Sequence, residues 1–223
     1  MRSNNDIKRD VENELRWDPI IDSPDIAVAV KDGVVTLTGF VRSYSEKYEA
    51  EKAAKRVSGV AGLANDLDVR LPSSDERPDP EVARDAVAAI RAQLPFTGER
   101  IKVVVDKGWL QLEGDVEWNY QREWAESAVR GVKGVRGVAN LIHVKPKVAP
   151  SQIKQQIEEA LKRNAELEAD RITVEANGSE VVLRGKVHSW AERKEAERAA
   201  WQAPGVTKVD NRITVGLLDA LAA

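Results

Sequence analysis

Apolar residues recur at spacings of three and four in three separate stretches: Ile7, Val11 and Leu15; Val82, Ala86, Ile90 and Leu94; Ile153, Ile157 and Leu161. Each stripe runs along an otherwise charged segment, which predicts three amphipathic helices. A short alternating stretch follows each (residues 26–30, 101–105 and 172–175) and reads as a strand. Next comes a tight turn at Asp32-Gly33, Lys107-Gly108 or Asn177-Gly178, since two-residue hairpins need positive φ. A second strand ends at Gly39, Gly114 or Gly185. A second helix then opens on Ser43-Tyr-Ser-Glu46 and Ser189-Trp-Ala-Glu192, both of which fit the capping box. The middle copy has Trp118 in place of the serine, leaving Asn119 as a cap in a shifted frame. Alanine-rich faces (Ala50, Ala53 and Ala54; Ala125 and Ala128; Ala196, Ala199 and Ala200) let this helix approach a sheet closely. A Gly-Val turn ends it, and Leu67 and Val69, Ile142 and Val144, or Ile213 and Val215 mark a last strand.

These stretches are one unit written three times. Gly39, Gly114 and Gly185 correspond, as do Gly59, Gly134 and Gly205, each of which is followed six residues later by Asn65, Asn140 or Asn211. The offsets are about 75 and about 71 residues, with a one-residue slip read at Asn177-Gly178. The predicted fold class is α+β, with three tandem helix–strand–strand–helix–strand modules at residues 3–71, 80–145 and 150–216. Polar, proline-marked linkers fall at 72–79 and 146–149, and a tail at 217–223. A hairpin is antiparallel and a crossover parallel, so each sheet is expected to be three-stranded and mixed, with two helices on one face. Strand order stays open.

A Leu-x-Gly-x-Val strand end, an Ala-and-charge helix, then Val-x-Gly-Val with Asn six residues on, resembles the BON domain, named for bacterial osmotically induced and nodulation proteins. The resemblance covers nearly the whole chain, three times. It implies non-catalytic modules linked to osmotic stress and to contact with phospholipid or the cell envelope. Ser179 departs from the glycine of the other copies, and Trp118 from the capping serine.

Composition narrows the remaining classes. The chain is 42% hydrophobic and 32% charged, with a net charge of −3 and a pI near 5.6. That balance suits globular folding and provides no general attraction to nucleic acid. No apolar run reaches the roughly 18 residues of a membrane span. There are no cysteines, and the first residues lack the apolar region of a secretory leader. A cytoplasmic location is therefore expected, with a periplasmic one as the alternative. His143 is expected on the outward side of its strand and His188 in a loop. With no cysteine and no paired nucleophile and base, neither an enzyme nor a cofactor is expected.

Candidate binding residues lie among the aromatic side chains. Tyr44, Trp118, Trp124, Trp190 and Trp201 occupy non-equivalent places in the repeat, so a shared core does not account for them. Trp124 matches Glu49 and Glu195, and Trp201 matches Lys55 and Arg130. Positions that are charged in sister copies are read as outward-facing, and exposed tryptophan favours a partner: a neighbouring module, a phospholipid surface, a protein, or a second copy. Trp17 and Trp109 are read as local packing. The first module is acidic, and Asp18, Asp22, Asp25 and Asp32 around its first strand are weak candidates for a hard cation such as K⁺ or Ca²⁺. The repeated glycines are assigned to backbone geometry, including Gly59–Gly62 and Gly134–Gly137, which match the GxxG clamp only in letters.

Overall fold

The computed structural model describes residues 2–146, 152–164 and 169–216. The predicted 146–149 linker beyond Pro146, and the 217–223 tail, lie outside the described residues. Three copies of the same element order follow one another. The first is α1 (Asn4–Trp17), β1 (Ile26–Lys31), β2 (Val34–Val41), α2 (Tyr44–Arg56) and β3 (Gly62–Val69). The second is α3 (Asp79–Gln93), β4 (Ile101–Asp106), β5 (Trp109–Val116), α4 (Asn119–Val129) and β6 (Gly137–Val144). The third is α5 (Ile153–Arg163), β7 (Ile172–Asn177), β8 (Glu180–Val187), α6 (Trp190–Trp201) and β9 (Lys208–Val215). Each module has its own three-stranded sheet, with the middle strand of the sequence also central in space. By its contacts the chain divides into two compact units. One holds the chain up to Thr38, Ala50–Asp66 and the third module; the other holds Gly39–Glu49 and Leu67 through the second module.

In the second module β5 pairs antiparallel with β4 and parallel with β6, which places Val103 beside Leu112 and Gly114 beside Ile142. Leu110, Leu112, Val116, Ile142 and Val144 are buried on one face. The stripe Val82, Ala86 and Ile90 of α3 and Ala125 and Val129 of α4 are buried with them. Both helices therefore cover the same face, and the other stays open. The third module repeats the plan with Val181, Leu183, Val187 and Ile213 against Ile157, Leu161, Ala196 and Ala200.

The repeated asparagines hold the crossover helix to the last strand. Asn140 Nδ2 donates to the Arg122 carbonyl at 2.9 Å and to Glu126 Oε2 at 3.1 Å, while its Oδ1 accepts the Ile142 N–H at 3.3 Å. Asn211 makes the same three bonds, to Arg193 O at 3.1 Å, Glu197 Oε2 at 3.0 Å and from Ile213 N at 3.2 Å. Asn65 donates to the equivalent Glu51 at 3.3 Å. Basic side chains of the same helices cover strand carbonyls: Lys47 Nζ donates to Leu67 O at 2.7 Å, and Arg193 to Ile213 O at 2.9 Å. Covering an edge in this way blunts its tendency to recruit another strand.

The caps form as the residue pattern predicts, with one correction. Ser43 and Ser189 accept the N–H of Glu46 and Glu192, and those carboxylates accept the N–H of Arg42 and His188. In the middle copy Trp118 itself takes the capping position. Its indole has no acceptor to offer, so half of the box survives: Gln121 Oε1 accepts the N–H of Glu117 and of Trp118, each at 3.0 Å. Asn119 does not cap; it is buried within the first turn and donates to Glu123 at 3.0 Å.

Two other sequence readings change. The second strands run through their glycines to Val41, Val116 and Val187. Gly114 and Gly185 adopt φ of +138° and +142°, and a Cβ there would collide with the carbonyls of Arg100 and Arg171. The third hairpin also gains no residue. Its turn is Gly178-Ser179, because Asn177 pairs with Glu180 as Asp106 pairs with Trp109. Asp32-Gly33 and Lys107-Gly108 have positive φ at both positions, as a type I′ turn requires. In the third copy only Gly178 does, the type II′ pattern, and serine then suits the next place.

Replacing Asn140 or Asn211 by alanine is expected to destabilise its module by about 1–3 kcal/mol, since strand and helix groups both lose buried partners. Gly114→Ala should cost more than roughly 1 kcal/mol. Urea unfolding followed by circular dichroism measures both, with an exposed Glu99→Ala variant as the unaffected reference.

Candidate functional site

The aromatic residues singled out in the sequence separate into internal and external groups. Trp190 is half-buried, and its Nε1 donates to the Val60 carbonyl of the first module at 3.1 Å. Lys55 Nζ and the Arg193 guanidinium stand 5.3 and 5.2 Å from its ring centroid. Trp190 thus joins the first and third modules. Trp201 is 8% exposed, which corrects the expectation of an outward position. The reason lies in its sister residues. Lys55 faces the Trp190 ring, and Arg130 stacks on Tyr48 with its guanidinium carbon 3.6 Å from the centroid. A long cation there lays its stem and planar head on an aromatic ring, so charge at this position does not mean solvent. Tyr44 is half-buried.

The external group gathers on the second module. Trp118, Tyr120 and Trp124 at the start of α4 are 38%, 47% and 47% exposed, and the last two rings meet edge to face at 5.0 Å. Gln121 Nε2 reaches Thr97 Oγ1 at 3.5 Å, which brings the loop after α3 beside the same turn. That loop carries Phe96, 94% exposed. Arg100 at the loop's end pairs with Glu117 at 3.4 Å, so the surroundings are polar but nearly neutral. Phe96 and Tyr120 escaped the sequence reading because it started from the tryptophans and had no view of the loop's proximity to α4.

Both tryptophans read as local packing lie on the surface. Trp17 is 86% exposed, because it sits two residues beyond Leu15 and so falls on the polar side of the α1 stripe. Trp109, 59% exposed, begins β5 on the open face and lies over Gly137, its partner on β6. The equivalent pairs are Val34 with Gly62 in the first module and an ion pair, Glu180–Lys208 at 3.4 Å, in the third. The same place on the scaffold has diverged in chemistry.

Two of the acidic candidates serve the fold. Asp18 accepts the Ile20 N–H at 3.1 Å and pairs with Arg56 at 3.3 Å, and Asp32 occupies the hairpin turn. Among the described residues no three acidic or histidine side chains converge as a metal site, so Asp18, Asp22, Asp25 and Asp32 are not brought together. His143 and His188 are exposed. Gly59 and Gly134 take φ of +91°, with the first apolar residue of the opening helix, Ile7 or Val82, where a Cβ would go. Gly62 and Gly137 start the last strands, so neither GxxG forms a clamp loop.

Comparison with known proteins places this architecture. The model of the BON domain matches residues 3–70, 82–146 and 150–216. The chain belongs to the BON domain family. It is 34% identical over 129 residues to the osmotically-inducible protein Y of Escherichia coli K12, a match spanning 56% of this chain and 64% of that protein, under two thirds of its length. Two solved structures of CdsD, a structural protein of the type III secretion system of Chlamydia trachomatis, align at lower similarity. One is 15% identical, covering 94% of this chain and 92% of that solved chain, with a TM-score of 0.26. The other, its C-terminal domain, is 14% identical, covering 96% and 99%, also with a TM-score of 0.26. Superposition at that level informs nothing about this chain.

Internal and external aromatic roles should separate under mutation. Trp201→Ala is expected to cost about 3–5 kcal/mol, as for a large buried side chain. Trp190→Phe should cost about 1 kcal/mol through the lost bond to Val60, and Trp124→Phe less than about 0.5 kcal/mol. Urea midpoints check the order.

Proposed function

We propose that this is a non-catalytic binding protein of the bacterial cell envelope, serving under osmotic stress. It contacts a phospholipid surface through the aromatic patch of its second BON module. Membership of the family and the likeness to an osmotically-inducible protein support the setting. Phe96, Trp118, Tyr120 and Trp124 carry the contact, because four aromatic rings exposed on the first turns of α4 and its neighbouring loop favour an apolar or interfacial partner. No described helix is long and apolar enough to cross a membrane. The periplasm, the alternative location above, suits this role. The cytoplasmic expectation gains no support from the family or from the likeness to the osmotically-inducible protein.

Because Arg100 is paired with Glu117 and the chain is net acidic, attachment depends on ring insertion rather than on charge. Vesicle flotation should therefore recover the protein with little change between low and high salt. Phe96→Ser should weaken recovery about tenfold, since it removes one inserted phenyl ring. No flotation above background, with a concentration-dependent dimer by light scattering that Phe96→Ser abolishes, would assign the patch to self-association instead.

A further inference from the structure

In the sheet of the second module β4 is an edge strand, bonded to β5 on one side only. Asp106 and Trp109 close a two-residue turn, so they form a hydrogen-bonded pair, and by alternation so do Val104 with Gln111 and Lys102 with Glu113. Val103 and Val105 therefore turn their N–H and C=O groups outward. Among the described residues no hydrogen bond from another element reaches those groups. Lys102, Val104 and Asp106 are exposed on the open face of the sheet, Val104 by 52%. Lys102 and Asp106 enter no ion pair among the described residues.

We propose that β4 receives the β4 strand of a second copy of this chain, antiparallel and about a two-fold axis at Val104. An edge lysine ordinarily deters such pairing, but here its spacing from Asp106 makes the strand complementary to itself. Val104 meets Val104, Val103 meets Val105, and Lys102 meets Asp106 on both sides of the axis. Val103 and Val105 exchange their outward hydrogen bonds. Lys102 and Asp106 fall in non-hydrogen-bonded pairs, where opposed side chains come closest. The sister strands lack this match. In β7 the place of Val104 is taken by Glu175, which would meet its own copy and is paired with Arg184 at 3.3 Å. In β1 the flanking positions are Ala27 and Lys31, which leaves the lysine no acceptor. A contact one strand wide lies below the area of a permanent interface, so the dimer is weak and concentration-dependent. It shares no residue with the Phe96 and α4 patch and stands or falls independently of membrane contact.

Sedimentation of the full chain over a concentration series tests this. A dimer should appear as concentration rises. Lys102→Asp and Asp106→Lys should each weaken it about tenfold, because each sets like charges opposite one another on both sides of the axis. An equimolar mixture of the two variants should regain association, since every aspartate then meets a lysine. The double variant carrying both reversals should dimerise as the unaltered chain does, for the same reason. Hydrogen–deuterium exchange should show protection of the Val103 and Val105 amides that grows with concentration. Phe96→Ser should leave the dimer unchanged, which separates it from association through the aromatic patch. A strict monomer up to about 1 mM, a dimer indifferent to the single reversals, or single variants that melt normally yet stay apart when mixed, overturns the proposal.

Discussion

Each module depends on one polar contact, the asparagine that ties its second helix to its last strand. The parallel pairing of the last two strands requires a crossover, and the crossover must lie flat on the sheet. Alanines such as Ala196 and Ala200 allow a close approach but bury little area of their own. Asn140 and Asn211 add direction. One side chain holds a helix carbonyl, a helix carboxylate and a strand N–H at once. With the strand held in register, alternation decides which side chains face the helices and which face outward. The character of the open face, from Trp109 to the Glu180–Lys208 pair, follows from that register.

Most of the scaffold was legible because its signals are local and repeated. The stripes of Ile7, Val82 and Ile153, the capping pairs Ser43/Glu46 and Ser189/Glu192, and the glycines with no room for a Cβ all act within a few residues or across one hairpin. The asparagines were visible as a recurrence but not as a clamp, since their partners lie 14 and 18 residues away on another element. The third turn was misplaced because Asn-Gly is a strong hairpin signal, whereas Gly-Ser fits the register and a different turn type.

The surface was harder to read, for a physical reason. Lys55, Arg130 and Trp201 occupy one position of the repeat, and charge there suggested solvent. Long cations satisfy their heads and still pack their stems, so Lys55 and Arg130 sit against aromatic rings much as a tryptophan does. Phe96 carried no signal in its own segment, because exposure of a loop residue depends on what the fold leaves beside it. The three modules thus keep one interior and divide the surface chemistry among themselves. The third carries Trp190, which contacts the first; the second presents its rings to solvent.

That division is tested most directly by hydrogen–deuterium exchange of the full chain with and without phospholipid vesicles. The account predicts new protection confined to residues 95–100 and the first turns of α4, with β7–β9 and α6 unchanged. Protection spread evenly over all three modules, or concentrated on α6, would contradict it.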